Sequence, residues 1–458
     1  SHVDYVNLTA VNPTESGFKI GSKAFNENIC VIVTSQAYLS AYNGISSLSE
    51  FENKFTTDAD GISNIGINEQ GTLLYKEIRN ENSSAEFIAT TIEIIGADRS
   101  ITELIIPVTL GNYDVSSIGV KAFNGCIYLS SVTIPSESKL ERILEDAFTG
   151  TPYVEKLASK TIIANDILYK YLGKEKVFVL PSSVSRIAER AFMNNAYLTR
   201  LDLRQNNKLN YIGPYAFYGC VNLAGTVDDT EKGFYAKKDL ITVANYAFAN
   251  SGIIEFGIPE SSNSLKAIGK EAFANCYYIK KVTIGAATEE IDSTAFLFCD
   301  ALKEFNVIGE NNTYAAVDGV LYSSESSNGK YNALFMYPAG RMDTEYKVKS
   351  SVVGADGSST EVTYISDYAF FRSNVAAIYI PSTIVSVSSS AIYVPGLVYV
   401  KFEKINDSIT YDDLFVLGGG EYEKYQPEYV IAPSDDSNID VFFGNNAVLK
   451  DNVLRTEF

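Results

Sequence analysis

Residues 118–135 read IGVKAFNGCIYLSSVTIP, or in general form I-G-x-x-A-F-x-x-C-x-x-L-x-x-V-x-I-P. The pattern returns at residues 268–284 (IGKEAFANCYYIKKVTI) and, in altered form, at residues 365–381 (ISDYAFFRSNVAAIYIP). Looser copies begin at Ile187, Ile212, Val243 and Ile291. A unit that recurs this often sets the architecture of the chain, so the repeat is interpreted before any single residue.

The Ala-Phe pair measures the spacing of the copies. Its alanines are Ala122, Ala147, Ala191, Ala216, Ala247, Ala272, Ala295 and Ala369, and Ala391-Ile392 is a degenerate ninth copy. Successive pairs lie 22–25 residues apart, except for gaps of 31, 44 and 74 residues. A period in the twenties is typical of leucine-rich repeats, in which each turn contributes a short strand and cannot bury its apolar side alone.

Each position of the unit has a physical reason. Val132 and Ile134 alternate with Thr133, which is the pattern of a strand with one buried face. The proline that follows ends the strand, because it has no N–H group to donate. Phe123 would fill the interior of its turn, and Ala122 would allow close approach to the next turn. The repeats therefore predict a continuous column of phenylalanines through stacked turns.

Composition and charge restrict the function. The chain has 458 residues, 46% of them hydrophobic, and a net charge of −19. This length exceeds a single ordinary core, which favours either several domains or a solenoid. No apolar run reaches the length of a membrane span. The negative charge argues against nucleic acid and against anionic membrane surfaces as partners.

Histidine occurs once, at His2, where Ser1-His2 resembles the remnant of a cloning vector. Without imidazole, Ser-His-Asp triads, Cys-His dyads and histidine-based zinc or iron sites cannot form. We therefore expect no catalytic residues, no metal site and no cofactor.

Four of the five cysteines share one phase of the repeat. Cys126, Cys220, Cys276 and Cys299 each lie three residues after the repeat phenylalanine, whereas Cys30 is off phase. No pair has the C-x-x-C spacing of a metal site, and the shared phase predicts small side chains packed inside the turns. A disulfide between Cys276 and Cys299, one turn apart, stays open.

The chain divides into three predicted parts. These are an N-terminal cap or small separate domain (1–92), the repeats (93–403) with inserts near 160–181 and 310–360, and a C-terminal cap (404–458). Each insert is predicted to be a hairpin that adds a strand and then rejoins the repeat. Within the first part, residues 68–71 read as a hairpin loop between strands at 62–67 and 72–78.

The repeat unit resembles the BspA-type (treponemal-type) leucine-rich repeat, and the D-G-V-L-Y stretch at residues 318–322 is also similar to sequences in such proteins. The resemblance implies a right-handed, β-rich leucine-rich-repeat solenoid with a parallel sheet, few or short helices and non-repeat caps. It further implies secretion or display on a bacterial cell surface after removal of a signal peptide, adhesion to a host or extracellular-matrix protein, and no catalysis. The family has no fixed set of binding residues to transfer.

A stacked sheet presents one long face of outward-pointing strand positions. The predicted partner-binding residues on this face are Arg200, Asp202, Lys281, Glu304, Tyr379, Tyr399 and Lys401. Tyrosine provides a large contact area with a hydrogen-bonding tip, as in many recognition surfaces. Two alternatives remain. One is a glycan-binding protein for nutrient capture, although the chain has no tryptophan; the other is a carboxylate-dependent glycoside hydrolase, although no spacing distinguishes a pair among 56 acidic residues.

Overall fold

The structure, a computed structural model, describes most of the chain from residue 87 onward and short segments elsewhere. The described residues are 4–7, 29–34, 55–57, 65–68, 72–81, 87–157, 159–227, 233–259, 264–324, 329–354, 357–409, 414–415, 427–433, 438, 442 and 453–456. The chain forms two compact units. Unit 1 comprises Ser1–Gly173 and Ala188–Ala191, and unit 2 comprises Lys174–Ile187 and Phe192–Phe458.

Strands predominate among the secondary-structure elements that the structure describes in unit 1. In chain order its elements are β1 (Asp4–Asn7), β2 (Ile29–Thr34), β3 (Phe55–Thr57), β4 (Ile65–Ile67), β5 (Leu73–Glu81), β6 (Phe87–Ala97), β7 (Glu103–Ile105), β8 (Thr109–Leu110), β9 (Tyr113–Ile118), β10 (Ser131–Thr133), β11 (Arg142–Ile143), α1 (Pro152–Lys156), β12 (Thr161–Ala164) and β13 (Ile167–Tyr171).

The N-terminal strands of unit 1 pair with the spacing of the repeat. Strands β1, β2 and β3 form a parallel sheet in which Tyr5 lies opposite Val31 and Ile32 opposite Phe55, offsets of 26 and 23 residues. The predicted hairpin is confirmed, because β4 and β5 pair in antiparallel fashion. Strand β6 pairs with β5 and also, in parallel, with β9, so one sheet continues across the predicted boundary at residue 92.

Unit 2 continues the strand-rich pattern. Its strands are β14 (Val177–Val179), β15 (Arg186–Ile187), β16 (Arg200–Asp202), β17 (Tyr211–Ile212), β18 (Gly225–Thr226), β19 (Phe234–Tyr235), β20 (Thr242–Val243), β21 (Glu255–Gly257), β22 (Ala267–Ile268), β23 (Lys281–Gly285), β24 (Glu290–Ile291), β25 (Glu304–Ile308), β26 (Tyr314–Val317), β27 (Val320–Ser323), β28 (Ala333–Met336), β29 (Glu345–Lys347), β30 (Ser351–Val353), β31 (Ser359–Glu361), β32 (Tyr364–Ile365), β33 (Ala377–Ile380), β34 (Ser386–Val387), β35 (Tyr399–Phe402), β36 (Tyr429–Pro433) and β37 (Val453–Thr456).

Each repeat in unit 2 contributes a strand to two separate parallel ladders. The V-x-I part of the unit gives the first, as in β19-β21-β23-β25 and in β29-β33-β35-β36-β37. The I-G part gives the second, in which β15, β17, β20, β22 and β24 pair in sequence. Strands β36 and β37 extend the first ladder into the segment predicted as the C-terminal cap.

The Ala-Phe pair joins successive turns through the main chain. In unit 2 the amides of four successive repeat phenylalanines each donate to the carbonyl of the alanine one turn later. The bonds from Phe192 to Ala216, Phe217 to Ala247, Phe248 to Ala272 and Phe273 to Ala295 are 2.7–2.8 Å long. The turn edge of the repeat is therefore a third hydrogen-bonded ladder beside the two strand ladders.

The predicted phenylalanine column is confirmed. In unit 2 the rings of Phe192, Phe217, Phe248, Phe273 and Phe296 stack in order with centroids 4.8–5.2 Å apart and ring planes within 14° of parallel. In unit 1, Phe123 and Phe148 stack at 4.8 Å. These rings are at most 5% exposed, so the column is the core of the turns.

The inserts are hairpins, as predicted, and they keep the repeat connected. Strands β12 and β13 pair in antiparallel fashion, and β26, β27 and β28 form an antiparallel meander whose last strand joins β32 in parallel. The amide of Tyr337 donates to the Ala369 carbonyl (2.8 Å), and its ring lies 5.5 Å from that of Phe370. Tyr337 thus takes the place of the repeat phenylalanine that the 74-residue gap lacks.

The repeat cysteines are buried inside the turns, as predicted. The thiols of Cys220, Cys276 and Cys299 donate to the carbonyls of Phe192, Phe248 and Phe273 at 3.0–3.1 Å, and none of the three forms a disulfide. Their position therefore selects a small side chain that can donate to the preceding turn. Burial raises the pKa of Cys220 to about 12 and that of Cys276 to about 11.

We expect these three thiols to be unreactive in the folded protein. In a Cys30→Ser, Cys126→Ser background, Ellman's reagent at pH 8 should give no thiol release until denaturant is added, because the thiolate is scarce and inaccessible. Three equivalents of reactive thiol per chain should appear on unfolding. Rapid labelling of the folded protein would contradict the burial of this row.

Candidate functional site

The structure divides the seven predicted binding residues among three sheets of unit 2. Arg200 and Asp202 lie on β16, Lys281 and Glu304 on the paired strands β23 and β25, and the other three on β33 and β35. Only the second and third groups bring predicted side chains together.

The prediction that Asp202 faces solvent is wrong. Asp202 is 5% exposed, and its Oδ2 atom lies 2.7 Å from Nη2 of Arg204. Its Oδ1 atom also accepts the main-chain amide of Arg204 at 3.0 Å. The hydrogen bonds from Arg204 lower the pKa of Asp202. The carboxylate therefore closes the turn after β16, and strand alternation did not reveal this role.

Lys281 and Glu304 form a cross-strand ion pair, with Nζ and Oε1 2.8 Å apart. Glu255 lies opposite Lys281 on the other side and accepts a hydrogen bond from the Tyr235 hydroxyl at 2.7 Å. Exposed pairs of this type typically contribute up to about 1 kcal/mol to stability. Mutual pairing satisfies these charges, so this group has a structural explanation without a partner.

The third group belongs to a larger cluster, which we call the tyrosine face. It consists of outward-facing residues of β29, β33, β35 and β36, namely Glu345, Lys347, Tyr379, Tyr399, Lys401 and Tyr429. Parallel pairing aligns them in two rows. Tyr399 lies beside Tyr429 in one row, and Tyr379 lies between Lys347 and Lys401 in the other.

Hydrogen bonds hold the centre of the tyrosine face. The hydroxyls of Tyr379 and Tyr399 are 2.6 Å apart, and each lies 3.3 Å from a different carboxylate oxygen of Glu345. The two rings meet edge to face at 5.8 Å, and the Lys347 ammonium lies 5.2 Å from the centroid of the Tyr379 ring. The side chains are thus held in place before any partner binds, which reduces the entropy lost on association.

The hydrogen bond with Tyr379 raises the pKa of Tyr399, and burial and the Glu345 charge act in the same direction. Tyr399 therefore stays protonated at neutral pH and can donate or accept hydrogen bonds, but it is not an activated nucleophile. The arrangement is suited to recognition.

Three members of the tyrosine face were missed from sequence. Glu345 and Lys347 lie in the insert near 310–360, and Tyr429 lies in the predicted C-terminal cap, so neither segment carries the full repeat. The alternation Glu345-Tyr346-Lys347, with Tyr346 buried, was a usable signal for a strand with these charges outward.

The part of the chain that the structure describes contains no group of three or more His, Cys, Asp or Glu residues able to hold a metal ion. Hydrogen bonds from Arg204 and Arg341 lower the pKa values of Asp202 and Asp343, respectively. Among the residues that the structure describes, no helix is both long enough and apolar enough to cross a bilayer.

Parallel ladders with a period in the twenties and an inner phenylalanine column define a leucine-rich-repeat solenoid. The sequence model of the BspA-type leucine-rich repeat region matches six copies, over residues 97–224, 231–321 and 357–415. These matches cover more than half of the chain, which therefore belongs to the BspA-type leucine-rich-repeat family. Proteins of this family are typically non-enzymatic surface proteins.

Solved structures with a similar fold come from several bacteria. A leucine-rich cell surface protein of Faecalibacterium prausnitzii is 18% identical, with 80% of this chain and 88% of that one covered and a TM-score of 0.34. The pneumococcal vaccine antigen PcpA is 17% identical, with 86% and 97% covered and a TM-score of 0.32. The leucine-rich-repeat protein of T. pallidum is 28% identical over 30% of this chain and 62% of its own, with a TM-score of 0.26. No curated protein matches the sequence significantly.

Proposed function

We propose that this protein is a non-catalytic recognition scaffold on a bacterial cell surface or secreted from it, and that the tyrosine face binds a host or extracellular-matrix protein. Membership of a family of surface proteins supports the location and the absence of catalysis. The observation that carries the binding proposal is the preorganised Tyr379–Tyr399–Glu345 cluster on the outward face of a parallel sheet.

The chemistry of the tyrosine face favours a protein over a glycan. Tyr429 is 39% exposed, and lysines and a glutamate surround the two central tyrosines. Protein interfaces commonly combine exposed tyrosine area with a rim of both charge signs. Glycan platforms instead rely mainly on broad aromatic surfaces, and this chain has no tryptophan.

We expect the double substitution Tyr379→Ala, Tyr399→Ala to weaken partner binding about thirtyfold, which corresponds to a hot-spot loss of about 2 kcal/mol. The intact chain is first screened against immobilised matrix proteins and a glycan array, and each hit is measured by biolayer interferometry. Tyr277→Ala is the matched control, because Tyr277 is an exposed tyrosine of unit 2 that lies outside the tyrosine face.

The melting temperature of each variant separates loss of contact from loss of fold. Unchanged affinity in a double variant that melts like the parent would place the interface elsewhere. Glycan hits without protein hits would contradict the choice of partner, and turnover of a panel glycoside would contradict the absence of catalysis.

A further inference from the structure

A groove in unit 1 lies beside the first strand of the β7-β10 sheet. Its volume is about 830 Å³, within the range of ligand sites in proteins. Leu73, Leu104 and Leu110 contribute to its walls and are at most 8% exposed, whereas Ile105 is 69% exposed. Tyr75 and Glu103 also line the groove. The three leucines therefore give the groove an apolar floor, and Glu103 is the one carboxylate in its lining.

One edge of β7 faces away from β10. Strand β7 pairs in parallel with β10, with Leu104 opposite Val132, and the amide of Ile106 donates to the Thr133 carbonyl at 2.9 Å. In a parallel pair alternate residues bond to the same neighbour, so the amides and carbonyls of Glu103 and Ile105 face the other side. Among the residues that the structure describes, these groups have no hydrogen-bond partner.

An open strand edge next to an apolar groove is the geometry of strand addition, in which main-chain bonds supply affinity and alternate side chains supply specificity. A strand added in parallel to β7 would place one residue opposite Leu104, facing the leucine floor. The residue before it would lie opposite Glu103 on the outer face, where a lysine or arginine would pair with the carboxylate. The residue after it would lie beside Ile105.

Unit 2 shows the same combination already formed. Strand β23 places Lys281, Val282 and Thr283 opposite Glu304, Phe305 and Asn306 of β25, and Lys281 pairs with Glu304 at 2.8 Å. Val282 and Phe305 both face the core. A basic residue, an apolar residue and a β-branched residue in succession therefore suit a neighbouring strand that begins with glutamate and continues with an inward apolar side chain.

We propose that this groove binds an extended segment of a partner protein, which adds in parallel to β7 with a basic residue opposite Glu103 and an apolar residue over the leucine floor. This site is separate from the tyrosine face and independent of the function proposed for it. The two proposals therefore fail or succeed separately.

A peptide copied from β23 is the probe. Fluorescein-labelled YIKKVTIG (residues 278–285) is titrated with the full chain, and fluorescence anisotropy is measured. We expect saturable binding, and none for the peptide with Val282→Pro, because proline cannot donate to the ladder and does not fill the floor in the same way. Equal binding of both peptides, or of neither, would overturn the proposal.

Ile105→Pro tests the open edge itself. It removes the amide that faces the groove but keeps the Leu104 and Ile106 amides that face β10, so the β7-β10 pairing should persist. We expect affinity to fall about tenfold, the usual effect of leaving one hydrogen-bond acceptor unpaired. Ile105→Thr, which keeps the amide, is the control and should bind nearly as the parent. Equal affinity in the proline variant, with an unchanged melting curve, would overturn strand addition.

A charge exchange tests the register. Glu103→Lys should weaken binding of the parent peptide, and the peptide with Lys281→Glu should restore it. Failure of this rescue would overturn the predicted pairing. Sedimentation velocity of the chain alone tests another occupant, because self-association abolished by Ile105→Pro would assign the groove to a second copy instead.

Discussion

Phe248→Ala is expected to lower the free energy of unfolding of unit 2 by about 4 kcal/mol, at the upper end of the range for large-to-small core substitutions. Phe248 is fully buried and stacks between Phe217 and Phe273, at centroid distances of 5.1 and 5.2 Å. The Phe234 ring meets the same ring edge to face, with centroids 4.9 Å apart, and the Phe256 ring is tilted against it at 6.4 Å. Its removal would leave a cavity with aromatic groups on four sides.

The hydrogen bonds between successive turns around Phe248 should prevent the neighbouring residues from closing that cavity. Its amide is bonded to the Ala272 carbonyl at 2.7 Å, and its own carbonyl accepts the Cys276 thiol at 3.1 Å, so the backbone holds the turns apart. Urea unfolding followed by tyrosine fluorescence measures the loss. Phe248→Leu should lose less, because it refills part of the space, and Tyr277→Ala should lose little. A loss under about 1 kcal/mol for the alanine variant would mean that the column does not carry the stability of the turns.

Much of the interior was predictable from sequence because the repeat period places equivalent residues one above another. Phe217 and Phe248 share a phase, as do Cys220 and Cys276, and stacking follows once the turns are in register. The contacts of an outward-facing side chain depend instead on which strand lies beside its own. Tyr379 and Tyr399 were predicted to point outward, but their shared hydrogen bonds to Glu345 require a strand supplied by an insert.

The ends of the chain show a second limit of sequence analysis. Parallel pairing needs main-chain groups and alternating side chains, but not the complete turn motif. Strands β1 to β3 and β36 to β37 therefore pair at repeat-like spacing without the L-x-x-V-x-I-P sequence that identifies the central copies. Asp202 is not exposed as the alternation of its strand predicts, because its carboxylate bonds to the amide and the guanidinium group of Arg204 in the turn after the strand.

Asn206 connects two successive turns of unit 2, and we expect Asn206→Ala to cost about 3 kcal/mol, because buried main-chain groups would lose their partners. The side chain is fully buried, and its Nδ2 atom donates to the carbonyls of Pro181 (2.6 Å) and Val184 (2.8 Å). Its Oδ1 atom accepts the amides of Lys208 (3.1 Å) and Leu209 (2.9 Å). One side-chain amide thus satisfies four main-chain groups, of which the Val184 carbonyl and the Leu209 amide are bonded in the buried interior.

The same device recurs at Asn311, which bonds to two carbonyls of the preceding turn and accepts two amides of its own. Asn206→Asp distinguishes hydrogen bonding from packing, since a carboxylate has nearly the same shape but cannot donate to the carbonyls of Pro181 and Val184. It should therefore destabilise at least as much as alanine at neutral pH. Asn222→Ala, at an exposed residue with one bond to the Ala196 carbonyl, is the control and should change stability by less than about 0.5 kcal/mol. If urea unfolding showed Asn206→Asp to be as stable as the parent, the two donated bonds would contribute nothing, and the asparagine would be a space-filling residue only.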